Sequence, residues 1–173
     1  MENLEVMTAE KNLILDKKQV DQKIKRIAYE IYENNMDEKR LVLAGISENG
    51  YILASLIEKE LNSISSLKVE TVKISIDKQA PSKSEIKLSN SHVDFSNKAV
   101  ILLDDVLNTG KTVAFTLKAF LNTDVRKIEV GVLVNRSHKL FPIYPKYTGY
   151  ELATTFTEHV EVLLKKGKGV YLY

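Results

Sequence analysis

Residues 100–112, Val-Ile-Leu-Leu-Asp-Asp-Val-Leu-Asn-Thr-Gly-Lys-Thr, decide the fold of this chain. An apolar run predicts a buried strand, and two adjacent acidic residues, Asp104 and Asp105, stand at the end of that run. The polar segment 109–112 then opens an amphipathic helix. Open α/β sheets bind ligands beyond the carboxyl ends of their strands, so this segment predicts a binding site.

Two kinds of chemistry meet in this segment. The N-terminus of a helix presents unpaired N–H groups and a partial positive charge, and both attract phosphate. Gly110 allows close approach of the backbone, while Thr109 and Thr112 add hydroxyl donors. The carboxylates of Asp104 and Asp105 can accept hydrogen bonds from ribose hydroxyls or hold the waters of a bound Mg²⁺. A ligand that carries both a sugar diol and a phosphate would satisfy the carboxylates with its hydroxyls and the N–H groups with its phosphate.

Three other interpretations of the segment fit it less well. A nucleotide P-loop requires a glycine five residues before Gly110, where this chain has Asp105. The acidic pair of receiver domains usually follows the first strand, whereas this pair follows about the third. An ordinary turn and helix cap also explains an acidic pair. The whole segment, and not the acidic pair alone, fits a site for a sugar diol and a phosphate, and this favours the binding site.

Composition narrows the class of protein. With 173 residues, of which 44% are hydrophobic, the chain predicts one domain, residues 1–173, with a full core. The absence of cysteine excludes disulfides and thiolate metal sites. No run of eighteen apolar residues and no leader pattern occurs, so we expect a cytoplasmic protein without membrane spans. The net charge of +2 gives no global attraction to nucleic acid.

Strand and helix patterns alternate along the chain, which predicts an α/β fold with a doubly wound, mostly parallel sheet. Asp16 and Gln19 form a capping box before the first helix. A long polar loop, about residues 77–97, and a segment with two prolines, about 136–159, depart from the alternation. The predicted strands are 12–15, 41–44, 69–76, 99–103 and 128–134, and the predicted helices are 17–34, 51–61 and 112–121.

The string 100–112 resembles the phosphoribosyl-pyrophosphate (PRPP) signature of the type I phosphoribosyltransferases. Further similarity points to the branch that combines pyrimidine-operon attenuation with uracil phosphoribosyltransferase activity. It covers residues 13–17, 26–30, 44–54 and 132–143, and the ending, a short strand that closes on residues 170–173. The resemblance implies transfer of 5-phosphoribosyl from PRPP to a nucleobase, giving a nucleoside monophosphate and pyrophosphate. Uracil is the favoured base, with hypoxanthine and guanine open. Mg²⁺ is expected as the cofactor, held through PRPP with no direct protein ligand.

The resemblance also implies roles for individual residues. Asp104 and Asp105 are the catalytic pair that holds the ribose hydroxyls. The flexible loop 77–97 closes over PRPP, although an idle surface loop is the alternative, and the hood 136–159 covers the nucleobase. In the hood, Arg136 is expected near an exocyclic oxygen of the base and Tyr150 as a stacking platform, with core packing as the alternative for Tyr150. The 5′-phosphate loop is Asn108, Thr109, Gly110, Lys111 and Thr112, and the pyrophosphate loop is Gly45, Ile46, Ser47, Glu48, Asn49 and Gly50.

The pyrophosphate loop departs from the family pattern. Relatives usually carry a basic residue between the two glycines, where this chain has Ser47, Glu48 and Asn49. Mg²⁺, Lys111, Lys78 or Lys83 could compensate for the missing cation. Weak catalysis is the other outcome, and it motivates a second hypothesis: a nucleotide-sensing regulator that binds RNA with little or no transferase activity.

Partners follow from the resemblance as well. PRPP and a nucleobase are the small-molecule partners, and a homodimer or higher homo-oligomer is expected. RNA binding would need a local basic patch, for which the first helix and the hood supply cations. Acidic residues on the same helix favour a solvated charged face instead. The cations are Lys17, Lys18, Lys23, Lys25, Arg26, Arg136, His138 and Lys139, and the acidic residues are Asp21, Glu30 and Glu33.

Overall fold

The computed structural model describes residues 11–136 and 138–173. Strands and helices alternate along most of that length. The elements are β1 (Asn12–Leu15), α1 (Lys17–Asn34), β2 (Arg40–Ile46), α2 (Ser47–Ile64), β3 (Lys68–Ser75), β4 (Lys87–Leu88), β5 (Ala99–Leu107), α3 (Lys111–Thr116), a 3₁₀ turn (Leu117–Ala119), β6 (Lys127–Arg136), β7 (Tyr147–Leu152), β8 (Val160–Leu163) and β9 (Gly169–Leu172).

The central sheet has six strands in the order β4-β3-β2-β5-β6-β7. Every neighbouring pair from β3 to β7 is parallel, and only the two-residue strand β4 runs antiparallel, against β3. The chain crosses from β3 to β5 around β2, so the sheet is wound in both directions from its centre. The predicted mostly parallel α/β fold is confirmed.

Apolar side chains cover both faces of this sheet. On one face, α1 and α2 pack against residues such as Leu43, Ile101 and Leu103. On the other face, α3 and the segment before β5 pack against residues such as Val100 and Leu102. The central strand β5 is therefore buried on both sides, which explains why its sequence is a continuous apolar run rather than an alternation.

The first two helices begin with different signals. The backbone N–H of Gln19 donates to Asp16 Oδ1 at 2.8 Å and the backbone N–H of Asp16 donates to Gln19 Oε1 at 2.9 Å, so the predicted capping box is confirmed. Helix α2 has no side-chain cap, and it begins at Ser47 rather than at residue 51. The prediction was wrong here because Gly50, which ordinarily weakens a helix, lies inside the first turn. No helix in residues 11–136 and 138–173 is long and apolar enough to cross a membrane.

A second, three-stranded antiparallel sheet, in the order β1-β9-β8, was not predicted as a sheet. It joins a strand near one end of the described chain to two strands near the other. Leu15, Val162 and Val170 from this small sheet enter the same core as α1, α2 and the central sheet. Strands β8 and β9 form a local hairpin, whereas β1 pairs with β9 over a long sequence distance, and such a pairing leaves little local signal.

Three predicted segments differ in detail. The helix after Gly110 is shorter than predicted, since α3 ends at Thr116 and a 3₁₀ turn continues only to Ala119. The loop 77–97 contains β4, and its residue Phe95 is buried edge-on against Phe120. The hood 136–159 supplies the edge strand β7 of the central sheet. These two segments are therefore anchored to the core at defined points.

Candidate functional site

The site lies where β5 extends beyond its neighbour β2. Pairing between these strands ends at Gly45 and Leu103, whereas pairing between β5 and β6 continues to Leu107 and Asn135. The last four residues of β5 therefore have a strand on one side only. Asp104 and Asp105 stand at the start of this extension, beside the space that β2 leaves open.

A crevice of about 350 Å³ opens at this end of β5. It is lined by residues 104–113, Lys78 and Val160. The catalytic pair and the 5′-phosphate loop of the sequence analysis thus border one cavity, at the carboxyl end of the central strand. Neither Arg136 nor Tyr150, the two predicted base contacts, is among the residues that line it.

The two carboxyl groups of the acidic pair differ in environment. Burial raises the pKa of Asp104 to about 8, against the nearby positive charge of Lys78. Burial also acts on Asp105, but the charge of Lys78 and the hydrogen bonds from Asp104 and Asn49 outweigh it and lower the pKa of Asp105. The pKa values of the two groups therefore shift in opposite directions, which favours the ionised form of Asp105 over that of Asp104.

Lys78 contacts both members of the acidic pair. Its Nζ donates to Asp104 Oδ1 at 2.8 Å and lies 3.5 Å from Asp105 Oδ1. Burial opposes the charge on this lysine, but the two carboxylates prevail and raise its pKa. Because Lys78 belongs to the loop 77–97, the contact joins that loop to the acidic pair across 26 residues of sequence.

The 5′-phosphate loop depends on a glycine. Gly110 has φ +83°, and a Cβ there would lie 3.2 Å from the side chain of Ile143, so a larger residue would be strained. The carbonyl of Thr109 accepts hydrogen bonds from the backbone N–H groups of Leu140 and Phe141. The start of the hood is therefore fixed directly to the turn that precedes α3.

The predicted pyrophosphate loop forms the end of β2 and the first turn of α2. Ser47 has φ +58°, a strained value for a residue with a Cβ. A Cβ on Gly50 would lie 2.5 Å from the carbonyl oxygen of Leu103, so this glycine allows α2 to pack closely on β5. Glu48 pairs with two cations, at 2.6 Å from Lys73 and 3.3 Å from Lys165.

Arg136 is a buried link between loops. Its Nη1 donates to Asn108 Oδ1 at 2.8 Å, and its Nε donates to Thr154 Oγ1 at 2.8 Å. Its Nη2 donates to the carbonyls of Thr155, at 3.2 Å, and Glu158, at 2.9 Å. The guanidinium thus ties the 5′-phosphate loop to the far end of the hood. Its contact with a base stays a prediction.

Tyr150 lies on β7, opposite Val134 of β6, and packs against the core on the α1 side of the sheet. The ammonium of Lys23, on α1, lies 5.8 Å from the centre of its ring. Core packing, the alternative given for Tyr150, fits this position. Base stacking by Tyr150 stays a prediction.

An aromatic pair in the hood was missed by the sequence analysis. The side chain of Phe156 is 88% exposed, and its ring lies 4.5 Å from that of His138 at an interplanar angle of 32°. His138 Nε2 is 3.1 Å from the Thr154 hydroxyl that Arg136 also contacts. An exposed aromatic ring is a suitable stacking surface for a planar base. No local pattern distinguished Phe156 from other hood aromatics.

The basic first helix is only partly free to contact a polyanion. Arg26 Nη2 donates to the carbonyls of Thr148 and Gly149, at 2.6 and 2.7 Å, and thereby covers part of the edge strand β7. Lys17 and Lys25 border a shallow surface cavity together with acidic groups, among them Glu60. This mixture of charges fits the solvated face that the sequence favoured.

A divalent metal would find oxygen donors in the crevice. Mg²⁺ prefers carboxylates, phosphates and water, and Asp104 and Asp105 supply two carboxyl groups beside the phosphate loop. In the part of the chain that the structure describes, no group of three or more His, Cys, Asp or Glu side chains gathers as a metal site.

Fold and site together define a class of protein. A parallel sheet places a carboxylate pair and the polar turn 108–112 around one crevice, an arrangement suited to a ribose that carries a phosphate. Residues 12–165 match the family model described as phosphoribosyl transferase domain. The chain belongs to this family.

Named relatives agree with the family. The chain is 33% identical to the bifunctional protein PyrR of Limosilactobacillus reuteri, over 90% of this chain and 93% of that protein. It is 38% identical to the PyrR of a Staphylococcus epidermidis strain, over 89% and 92%. A crystal structure of the hypoxanthine phosphoribosyltransferase of Trypanosoma cruzi superposes with a TM-score of 0.78 at 12% identity, covering 93% of this chain and 95% of that one. At that identity the likeness concerns the fold.

Proposed function

We propose that this protein transfers the 5-phosphoribosyl group of PRPP to uracil, giving uridine monophosphate and pyrophosphate. Family membership supports the reaction class. The observation that carries the assignment of the site is the shared crevice of Asp104, Asp105 and the turn 108–112. A ribose phosphate needs hydroxyl acceptors and an anion-binding turn within a few ångströms of each other. The two carboxyl groups and the turn 108–112, which line the same crevice, support this assignment.

The proposed chemistry is a displacement at the ribose carbon C1′. The bond from C1′ to the pyrophosphate oxygen breaks and its electrons leave with pyrophosphate, while N1 of uracil forms the new bond and its proton passes to solvent. Positive charge develops on the ribose as the old bond loosens. Asp105 is the charged member of the pair, so it stabilises that charge, and Asp104 accepts from a ribose hydroxyl.

Mg²⁺ is part of the proposal. When bound, the ion neutralises the charge of the pyrophosphate and makes it a better leaving group. Asp104 and Asp105 would hold it through the ribose and its water molecules, with most ligands coming from PRPP. The protein's own task is then to place the diol, the 5′-phosphate and the base.

Binding of PRPP requires Lys78 to move in this proposal. Its ammonium occupies the side of the acidic pair that faces the crevice, within 2.8 Å of Asp104. Ribose hydroxyls that bind the same carboxylates displace this contact. The freed lysine, on the loop 77–97, is then available to the pyrophosphate, for which the loop 45–50 supplies no cation of its own.

The nucleobase is assigned to the hood. Uracil is preferred because the sequence similarity is with the attenuation branch, whereas the structural likeness to purine enzymes concerns the fold. Two features of the hood could contact a base. One is the exposed ring of Phe156, and the other is the guanidinium of Arg136 with the Asn108 amide that it contacts. Hypoxanthine and guanine remain the alternative substrates.

A pyrophosphate-release assay tests the proposal. Purified protein is incubated with PRPP and Mg²⁺ and with uracil, hypoxanthine, guanine, xanthine or adenine in turn. We expect release above background with uracil, and its loss when Mg²⁺ is chelated. Release only with a purine would replace uracil but keep the reaction class. Release with none of the five bases would contradict the proposed transferase.

A second candidate function has its own supporting observation. The loop 45–50 lacks a cation, and Glu48 there pairs with Lys73 and Lys165, which reduces their attraction for pyrophosphate. A protein that binds the nucleotide product and RNA, with little turnover, fits these features. Calorimetric binding of uridine monophosphate together with a gel shift of RNA at low salt, both without pyrophosphate release, would support this regulator. No RNA shift at either of two salt concentrations would exclude its RNA branch.

A further inference from the structure

Asn49 connects three parts of the fold through a contact with Asp105, which lines the crevice. Its Nδ2 donates to Asp105 Oδ2 at 2.8 Å and to the carbonyl of Val162 at 3.2 Å. Asn49 lies in the first turn of α2, Asp105 on β5 and Val162 on β8. These partners are 56 and 113 residues away from it in the sequence. One amide group therefore ties α2 and β8 to the acidic pair on β5.

The two oxygens of Asp105 face different donors. Oδ2 accepts from Asn49, whereas Oδ1 lies 3.5 Å from the ammonium of Lys78. The hydrogen bond from the Asn49 amide is short, and Asn49 lies on a helix. The ammonium of Lys78 is farther away and lies on a loop. Asp105 is 9% exposed, and a hydrogen bond to a buried carboxylate is stronger than one in water. Asn49 is thus the firmer of the two supports.

We infer that Asn49 is a positioning residue, which acts on the reaction by holding the carboxylate of Asp105 in the orientation that a ribose substrate meets. The inference rests on the proposed function and concerns its central residue. Asn49 belongs to the loop 45–50 that the sequence predicts for pyrophosphate, but its side-chain amide is turned to the acidic pair. The site therefore uses this position to orient a carboxylate instead of binding the leaving group.

A double-mutant cycle tests whether Asn49 acts through Asp105 or independently of it. Asn49→Ala, Asp105→Ala and the double variant are compared with the wild type by steady-state pyrophosphate release. We expect Asn49→Ala to lower kcat about tenfold and to change the KM for PRPP less than about threefold, because a hydrogen bond to a charged group is lost near the reacting carbon. In the Asp105→Ala background, the same change should cost less than about twofold, because its partner is gone.

Two further variants complete the experiment. Asn49→Asp keeps the shape of the side chain but removes the donor and faces Asp105 with a like charge, so it should lose more activity than Asn49→Ala. Asn62→Ala changes an exposed asparagine near the end of α2 and should leave the rate unchanged. Melting temperatures of all variants identify any that fail to fold.

The outcomes are distinct. An equal loss from Asn49→Ala in both backgrounds, or no loss in the wild type, would overturn the positioning role. Should the wild type release no pyrophosphate with any base, the transferase proposal fails by itself. The same cycle is then measured as the dissociation constant of uridine monophosphate, with the same criterion of non-additivity, since its ribose meets Asp105 as well.

Discussion

At the scale of single residues, the acidic pair carries the proposed chemistry. Asp105→Asn keeps the shape of the side chain and removes the negative charge that faces the ribose. We expect the rate of pyrophosphate release to fall on the order of 10²–10³-fold, as for the loss of one well-placed charge stabiliser. The exposed Asp37 provides the matched control, since Asp37→Asn should leave the rate unchanged. A near-native rate for Asp105→Asn would refute the assigned role.

The neighbouring carboxyl predicts a pH dependence of stability. Burial raises the pKa of Asp104 to about 8 in the folded protein, from an ordinary value of 3.8. The folded state therefore holds this proton more tightly than the unfolded chain, so the contribution to stability is complete below about pH 4 and is lost as the pH rises through about 8.

Asp104→Asn removes this titration. Between pH 6 and 8, we expect the free energy of unfolding of the wild type to fall by about 2 kcal/mol relative to the variant. Urea denaturation of both proteins at several pH values measures the difference. Parallel curves over this range would show that Asp104 is already ionised at pH 6.

At the scale of elements, a polar cluster away from the crevice joins α1 to two strands. Glu129 of β6 accepts a hydrogen bond from Tyr147 of β7 at 2.6 Å, and both contact Asn35 at the end of α1. Lys146 donates to the same glutamate at 2.5 Å. Burial disfavours the charge on Glu129, but these hydrogen bonds prevail and lower its pKa. Buried clusters of this kind are costly when one partner is removed.

Tyr147→Phe tests the cluster. Loss of the hydroxyl leaves buried polar groups unsatisfied, so the free energy of unfolding should decrease by about 1–2 kcal/mol. Tyr144, which is 84% exposed, is the matched control, and Tyr144→Phe should change stability by less than about 0.5 kcal/mol. Urea denaturation gives both values. Since Tyr147 is absent from the lining of the crevice, the KM for PRPP should not change in either variant.

At the scale of the whole molecule, the small sheet and the central sheet share one core. Val170 of β9 is fully buried and lies in the same cluster as Leu103 of the central strand. Strand β9 also pairs with both other strands of the small sheet. The two sheets should therefore unfold together, in one cooperative transition.

Val170→Ala measures that coupling. The loss of two buried methyl groups should lower the free energy of unfolding by about 2 kcal/mol, with a single transition retained. Leu13→Ala on β1 removes a larger side chain, but that side chain is 56% exposed, so its effect should be smaller. Denaturation followed by circular dichroism and by pyrophosphate release checks both statements. A separate early transition in the wild type would show that the small sheet is an independent unit.

Much of the fold could be predicted because its signals are local. The apolar run before Asp104, the capping box at Asp16 and the helical spacing of α1 are read within a few residues, and each was found in the structure. The predicted start of α2 was wrong because Gly50 is a poor helix former. Glycine is needed at this position because α2 packs closely against Leu103 there. The closing strand was predicted, but its pairing with β1 in a second sheet was not, because that pairing joins opposite ends of the chain.

The sequence by itself determined the family, the mostly parallel sheet and the place of the acidic pair and the turn 108–112 after the central strand. All of these depend on patterns that are local along the chain. Only the tertiary structure decided what surrounds the pair. Lys78 reaches it across 26 residues and Asn49 across 56, while Lys165 meets Glu48 across 117. Polar contacts between such distant residues depend on how the elements pack, and no local pattern encodes them.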